Sequence, residues 1–187
     1  MQNVLDIETR EGFRSWLSTH SSLEAECWVA VERKRPYPGG FVYLDAVEEA
    51  LCFGWIDSVQ KNIGGRIYQR FSPRTKKSPW TELNKERARR LIKLGLMTPS
   101  GKKALPPLGP RSFKPDPDVV AALKRARCYK TFTSFHPLYQ RVRIYNVAFY
   151  KSFDVDAYDK ALAHLIKVTK AGRTYGEWND YGRLLDY

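Results

Sequence analysis

Asp57 is a lone carboxylate in a stretch that is otherwise basic and aromatic, GWIDSVQKNIGGRIYQRFSPRTKKSPW, beginning at Gly54. Trp55 lies two residues before it, so in an extended strand the two side chains project from the same face. In a pocket, such a carboxylate could act as a hydrogen-bond acceptor or as a general base. The structural alternative is an ion pair across the strands with Arg70 or Arg74. Asp57 is therefore the catalytic candidate, and both interpretations stay open.

The same stretch has features that favour the binding of an anion. Ser78 followed by Pro79 predicts a helix start, with Ser78 as the N-cap residue. Unpaired N–H groups and the positive end of the helix dipole at such a start suit a phosphate or a carboxylate. Three cations come directly before it, namely Arg74, Lys76 and Lys77. A solvated basic strand face is the alternative explanation.

We therefore predict a binding site for an anionic ligand between Trp55 and Asn84. Tryptophans would form its walls, arginine and lysine would supply charge, and Ser78 would supply backbone N–H donors. Asp57 and Asn84 would orient the ligand. For Trp80, an anchor in the core is the alternative role. The predicted set is Trp55, Asp57, Arg70, Arg74, Lys76, Ser78, Trp80 and Asn84.

The charge of the chain supports a local anionic partner. The net charge is +12, yet residues 61–114 hold 15 Lys and Arg against 2 acids, and the rest of the chain is close to neutral. A field of this kind attracts an anionic small molecule, an acidic protein surface or a nucleic acid. Nucleic acid is not favoured, because no RNA-binding strand motif, helix-turn-helix or zinc finger accompanies the charge.

Several kinds of chemistry lack their sequence motifs. No dinucleotide-binding, Walker, nucleophile-elbow or HExxH motif is present, so no cofactor is expected. The histidines are too scattered to predict a metal site, and the cysteines lack zinc or disulfide spacing. No signal peptide is expected and no apolar run approaches the roughly 18 residues of a membrane span, which together predict a cytoplasmic protein. The oligomeric state is not indicated.

Hydrophobic periodicity and capping signals predict the elements that position this stretch. Thr9 predicts the N-cap of the first helix, and Asp45 followed by Glu48 predicts a capping box for the second. The stretch itself predicts a hairpin that turns at 62–65. The predicted elements are a helix at 9–18, a strand from Cys27, the hairpin, and helices at 45–53, 78–94, 98–105, 116–127, 139–150 and 155–169.

These elements predict an α+β fold, with a small antiparallel sheet packed by helices and a helical C-terminal subdomain. The predicted organisation is a mixed domain at 1–105, a linker rich in proline and glycine at 106–117, and the helical subdomain at 118–187. The last segment, YGEWNDYGRLLDY from Tyr175, is aromatic. It either docks on the body of the protein or binds a partner.

Four segments together resemble one bacterial family: EALCFGWIDSV, RFSPRTKKSPWTELN, GLMTPSGKKAL and FTSFHPLYQRVRIYNVAFY. They look like the YdeI/OmpD-associated family, over a span from about Trp28 to about Ala171. The most specific pieces are FGWID, F-x-PR and S-x-W-x-x-x-N. The resemblance implies a bacterial intracellular protein, with relatives named for bacteriocin protection or for an association with an outer-membrane porin. It supplies no catalytic residue and no cofactor.

Together, these observations favour a non-enzymatic binding protein of stress or bacteriocin tolerance that uses a basic cleft for an anion. Two alternatives remain. One is an enzyme that acts on a phosphorylated or nucleotide-like small molecule, with Asp57 as its acid or base. The other is a nucleic-acid-binding protein.

Overall fold

The elements alternate between helix and strand in the first half of the chain and are helical in the second. The computed structural model describes residues 3–187. The predicted α+β class is confirmed. In chain order the elements are β1 (Val4–Leu5), α1 (Arg10–His20), β2 (Cys27–Ala30), α2 (Tyr43–Cys52), β3 (Trp55–Ile63), β4 (Arg66–Pro73), α3 (Glu82–Lys93), α4 (Pro99–Lys103), a 3-10 helix (Pro110–Ser112), α5 (Pro117–Arg125), α6 (Tyr129–Thr133), α7 (Pro137–Tyr150) and α8 (Val155–Lys170).

The four strands form one sheet in the order β1-β2-β4-β3. The hairpin of β3 and β4 and the antiparallel pairing of β2 with β4 agree with the prediction. The hairpin turns at Gly64 and Gly65, whose φ angles of 57° and 82° lie in the left-handed region that favours glycine. The sheet is mixed rather than purely antiparallel, because β1 runs parallel to β2. β1 was not predicted, because two residues are too few to show the alternation of apolar and polar side chains that indicates a strand.

The chain folds into two compact units. The first comprises Met1–Pro79, Arg87–Pro106 and Tyr187, and the second comprises Trp80–Glu86 and Pro107–Asp186. The segment expected to be a linker contains the 3-10 helix, and its Phe113 packs on the core of the second unit. The start of α3 also belongs to the second unit. The predicted boundary at residue 105 was drawn from composition, which does not show a division within a helix. No helix among residues 3–187 is both long and apolar enough to cross a membrane.

Aromatic side chains build the core of the first unit. Thr9 caps α1 as predicted, with its hydroxyl accepting from the Gly12 N–H. The helix then buries Phe13 against Phe71 of β4, at 5.3 Å between ring centroids. One turn further on, Trp16 meets Trp55 edge to face at 5.9 Å. Such pairs contribute about 0.5–1.5 kcal/mol beyond the area that they bury.

The predicted capping box of α2 is wrong by one turn. The helix begins at Tyr43, with Val42 as the N-cap residue, and Asp45 is its third residue rather than its cap. The Asp45 carboxylate accepts from the Val42 N–H at 3.1 Å. Glu48 is fully buried and does not take part in capping. Asp45 lies three residues after Val42, and Glu48 lies three residues after Asp45. Because both spacings fit a capping box, the sequence did not show which residue is the cap.

Buried carboxylates on α2 instead hold three arginines from neighbouring helices. Glu48 accepts from Arg10 of α1 and from Arg90 of α3, both at 2.8 Å. Glu49 accepts from Arg10 at 2.6 Å and from Arg14 at 2.7 Å. Charges that are this deeply buried are tolerated only when they are paired and hydrogen-bonded. The cluster therefore fixes α1 and α3 against α2.

The second unit packs its C-terminal segment onto α7. Trp178 contacts the Tyr139 ring edge to face at 5.5 Å, and Leu184 is buried with Leu138. Arg143 donates to the Tyr175 carbonyl, and its guanidinium carbon lies 4.2 Å from the centroid of that ring. Of the two alternatives that the sequence left open for this segment, docking on the body is the one observed.

Replacing Glu48 with Gln tests whether the buried ion cluster stabilises the first unit. Glu48→Gln keeps the volume but leaves Arg10 and Arg90 partly uncompensated in the interior. We expect the free energy of unfolding to fall by about 3 kcal/mol, the usual effect of breaking a buried ion pair. Urea denaturation measures this, with Glu11→Gln on the exposed face of α1 as the control. A loss below about 1 kcal/mol, typical of a surface pair, would contradict the expectation.

Candidate anion-binding site

Trp55 does not form the wall of a pocket, contrary to the prediction. Its side chain is 1% exposed and lies in the core of the first unit. The indole Nε1 donates to the Ser21 carbonyl at 3.2 Å, which satisfies the one polar atom of the ring. A strand residue that alternates towards the helices is buried by them, and the sequence could not show which face α1 would cover.

The predicted helix start at Ser78 is also wrong. α3 begins at Glu82, and the Asn84 N–H donates to the Thr81 hydroxyl at 3.0 Å, in the manner of a capped N-terminus. Ser78 belongs to a preceding turn, where its N–H donates to the Thr75 carbonyl at 3.1 Å. Its hydroxyl accepts from the Thr75 N–H at 3.0 Å. Ser78 therefore does not present helix-start N–H groups to a ligand.

The remaining predicted residues have different surroundings. Trp80 and Asn84 belong to the second unit, where Asn84 is buried. Arg70 forms an ion pair with Glu26 of the first unit at 2.6 Å. Lys76 is exposed in the turn after β4. Asp57 and Arg74 are the two predicted residues whose charges the fold brings together.

Asp57 is held by a tyrosine that the sequence analysis did not single out. Tyr43 is the first residue of α2, and its hydroxyl donates to Asp57 Oδ2 of β3 at 2.5 Å. The distance is at the short end for an O–H donor and a carboxylate, as expected for a charge-assisted bond. Both side chains are partly buried. The bond fixes the orientation of the carboxylate.

A β-bulge in β3 begins directly after Asp57. The pairing of β3 with β4 shifts between Asp57 and Gln60, so that Ser58 and Val59 lie outside the regular ladder. The side chain of Gln69, which is 0% exposed, donates to both of their carbonyls at 3.1 Å. Bulges bend a strand and redirect its side chains. Gln69 thus stabilises the irregular backbone beside the carboxylate.

The charges of nearby arginines act on the Tyr43–Asp57 pair. The guanidinium carbon of Arg33 lies 4.0 Å from the centroid of the Tyr43 ring, and its Nη2 donates to Gln69 Oε1 at 3.0 Å. Burial and the Asp57 carboxylate raise the pKa of Tyr43 well above its usual range, and the charges of Arg87 and Arg33 oppose that rise. The Tyr43 hydroxyl therefore remains a hydrogen-bond donor at neutral pH.

Arg74 completes the group. Burial lowers the pKa of its guanidinium to about 10, and the nearby charge of Asp57 only partly opposes that effect. One of its nitrogens, Nη1, donates to the Pro79 carbonyl at 3.0 Å. Of the two cross-strand partners predicted for Asp57, Arg74 is thus the one that interacts with it electrostatically.

We call the set of Arg33, Tyr43, Asp57, Arg74 and Arg87 the arginine site, and all five residues belong to the first unit. Asp57 and Arg74 stood out from the sequence because a lone acid lay in a basic hairpin. Tyr43, Arg33 and Arg87 gave no such signal, since a tyrosine at a helix start and arginines in polar segments are ordinary.

Neither a metal nor a nucleophilic cysteine is indicated in the part of the chain that the structure describes. Over residues 3–187, no group of three potential metal ligands comes together. The three cysteines are buried, and burial raises the pKa of the Cys27 thiol to about 12 and that of Cys52 to about 11. Thiols of this kind are poor nucleophiles, because the thiolate is the reactive form.

The fold and the site define an α+β domain with a partly buried tyrosine–carboxylate pair near several arginines. The chain belongs to a family described as a domain of unknown function (DUF8412), whose model matches residues 5–104. The matched range includes every residue of the arginine site. Searches of curated proteins and of solved structures gave no match to the chain.

The environment of Tyr43 predicts an unusual titration. Its pKa is raised in the folded state, so the stability that it contributes is intact below the ordinary value of 10.0 and is lost as the pH rises above it. Asp57→Asn should move the Tyr43 pKa back towards that value but not restore it, because burial is the larger cause. NMR of the tyrosine ring carbons measures both, with Glu11→Gln as control. A wild-type Tyr43 that titrates at 10.0 would contradict this assignment.

Proposed function

We propose that the chain is a non-enzymatic binding protein that holds a small anionic molecule at the arginine site. The observation that carries the proposal is that Arg33 lies over the Tyr43 ring, while Arg87 and Arg74 are near enough to interact electrostatically with Tyr43 and Asp57. Arginine is the residue best suited to bind carboxylate and phosphate groups, through its planar fork of N–H donors.

The electrostatics of Arg74 support an anion in particular. Burial disfavours its charged form more than the Asp57 carboxylate favours it, which is why its pKa falls to about 10. An anion bound beside the guanidinium would offset that penalty, because an opposite charge within about 4–6 Å stabilises the charged form. A bound anion should therefore raise the pKa of Arg74 again.

The neighbouring groups would give the site its selectivity. Asp57 repels an anion that approaches from its own side, and it accepts a hydrogen bond from any hydroxyl or amine that the ligand carries. The bond from Tyr43 fixes the carboxylate in one orientation. We expect a ligand that combines a phosphate or carboxylate group with a hydrogen-bond donor, as phosphorylated metabolites do. An acidic protein partner could meet both requirements only where a hydrogen-bond donor lies beside its carboxylate.

The wider role follows from the resemblance to the YdeI/OmpD-associated family. On this proposal, a bacterial protein captures its ligand or partner during stress or bacteriocin exposure, and binding rather than turnover is its activity. The match to a domain of unknown function is compatible with that role and carries no description of its own.

Exchanging one arginine tests the site against a matched neighbour. Arg74→Gln should abolish the rise in melting temperature that AMP, citrate or inorganic phosphate produces, while Arg70→Gln should preserve it. Arg70 is the control because it lies only four residues before Arg74, in β4, and is already paired with Glu26. A ligand at 100 times its Kd stabilises the folded state by about 2.7 kcal/mol, which thermal denaturation detects readily.

Sodium chloride at equal ionic strength separates specific binding from screening. A charge reversal at Arg70 is unsuitable here, since Arg70→Glu would place two carboxylates together at Glu26. If Arg74→Gln and wild type respond equally to the three anions, or if none of the anions exceeds chloride, the proposed site is wrong.

An enzyme is the second candidate function, and the short Tyr43–Asp57 hydrogen bond favours it. A carboxylate fixed by a tyrosine in a partly buried site resembles the arrangement of a general base. On this hypothesis, Asp57→Asn eliminates turnover of a phosphorylated or nucleotide substrate and leaves its affinity intact.

A panel of phosphomonoesters and nucleotides, followed by phosphate release and by chromatography, tests this hypothesis. Tyr43→Phe is the companion variant, because it keeps the ring but frees the carboxylate. We expect turnover to be lost in the first variant and reduced in the second. Absence of turnover across the panel would leave binding as the function.

A further inference from the structure

Aromatic side chains lie exposed where α7 ends and α8 begins, in the second unit. Phe149, Phe153 and Val155 are 48%, 63% and 66% exposed. Phe149 and Phe153 meet edge to face at 5.1 Å between centroids, and Phe149 lies 6.3 Å from Tyr145. We call the set of Tyr145, Phe149, Tyr150, Phe153 and Val155 the aromatic surface. Contiguous exposed apolar groups of this kind commonly mark an interaction site.

None of these side chains belongs to the hydrophobic core of the second unit. α7 turns a different face inwards, where Tyr139, Val142 and Val147 are buried. The turn between α7 and α8 is nevertheless fixed, since Lys151 forms ion pairs with Asp116 at 3.1 Å and with Asp118 at 2.5 Å. A surface that is ordered before binding loses less conformational entropy when a partner docks.

A cleft of about 410 Å³ in the same unit adjoins the aromatic surface. Tyr145 belongs to both, and Ala148 of α7 also lines the cleft. The segment 112–117 also lines it, with Phe113 and two prolines beside the charged Lys114 and Asp116, and Glu82 and Lys85 belong to the lining as well. A cleft of this size accepts one or two large apolar side chains, the typical anchors of a helix that binds in a groove.

Acids are concentrated beside the aromatic surface, although the protein as a whole is basic. Residues 151–160 contain three acids, Asp154, Asp156 and Asp159, against two lysines. One of these lysines, Lys151, is already paired with Asp116 and Asp118. Asp159 lies one helical turn after the exposed Val155, so both side chains share a face of α8. An anionic lipid surface would be repelled here, whereas a basic partner would be attracted.

From this combination we propose that the aromatic surface docks a basic amphipathic helix of a partner protein. Apolar side chains of the helix contact Phe149 and Phe153 and enter the adjoining cleft, while its lysines or arginines face Asp156 and Asp159. The proposal is independent of the arginine site, which belongs to the other unit. Docking and anion binding are therefore separable by mutation.

Synthetic helices test the proposal directly. The probes are a fluorescein-labelled amphipathic peptide of leucine and lysine and its counterpart of leucine and glutamate, followed by fluorescence anisotropy. We expect saturable binding of the lysine peptide and much weaker binding of the glutamate peptide. The double variant Phe149→Ser with Phe153→Ser should lose at least about tenfold in affinity, the scale of truncated hot-spot residues.

Two further variants separate docking from general adhesion. Val59→Ser with Ile63→Ser removes two comparably exposed apolar side chains from β3 and should leave the affinity unchanged. Asp159→Lys should weaken the lysine peptide and strengthen the glutamate peptide, a reversal that no loss of folding would produce. Circular dichroism and melting curves verify that each variant is folded.

The following results would overturn the proposal. One is equal affinity of the lysine peptide for wild type and for the Phe149/Phe153 variant. Another is self-association in sedimentation that this variant abolishes, which would identify a second copy of the chain as the occupant. A third is binding to vesicles of phosphatidylserine that depends on the same two residues, which would identify a membrane surface.

Discussion

The buried carboxylates of α2 are the interaction on which the rest of the first unit depends. Glu48 and Glu49 have almost no contact with water, and they pair with arginines that reach in from α1 and α3. Desolvation makes such a cluster costly in free energy unless all its members are present together. The cluster therefore links three helices, and removal of one member would leave the others buried without their charge partner.

The arginine site inherits its geometry from that cluster. Tyr43 opens the helix that the cluster fixes, so its hydroxyl has a defined position above Asp57. From the other side, Gln69 satisfies the bulge carbonyls and orients Arg33. Every polar group in this chain of contacts is held by another, which is the condition under which a buried polar network gives a defined structure. A site built in this way would need little rearrangement to bind the anion that we propose.

α7 shows how one helix can serve two purposes. Its inward face holds the core of the second unit and, through Arg143 and Tyr139, the docked C-terminal segment. Its outward end carries the exposed Phe149. Burial of the inward face stabilises the unit. The exposed Phe149 is therefore not needed for the core. The two surfaces that we propose for binding also differ in sign, basic around Arg74 and acidic around Asp159.

Local signals in the sequence determined much of the secondary structure. Thr9 caps its helix as predicted, Thr98 and Asp116 cap the helices that were predicted to begin there, and the hairpin turns at its two glycines. These features depend on hydrogen bonds between residues three or four apart, which the sequence shows directly. The α+β class follows from their order along the chain. Of the site, the sequence indicated Asp57 and Arg74 because their charges were conspicuous among their neighbours.

Tertiary structure decided the rest. It buried Trp55 and paired Arg70 with Glu26, because contacts between distant segments can outweigh local preferences. Ser78, in contrast, forms a local turn with Thr75 rather than a helix start. It also created the Tyr43–Asp57 bond, whose two residues lie on different elements. The burial of a charge or a polar group depends on what the whole chain packs over it. A sequence pattern supplies the groups, and only the packed fold determines which of them meet.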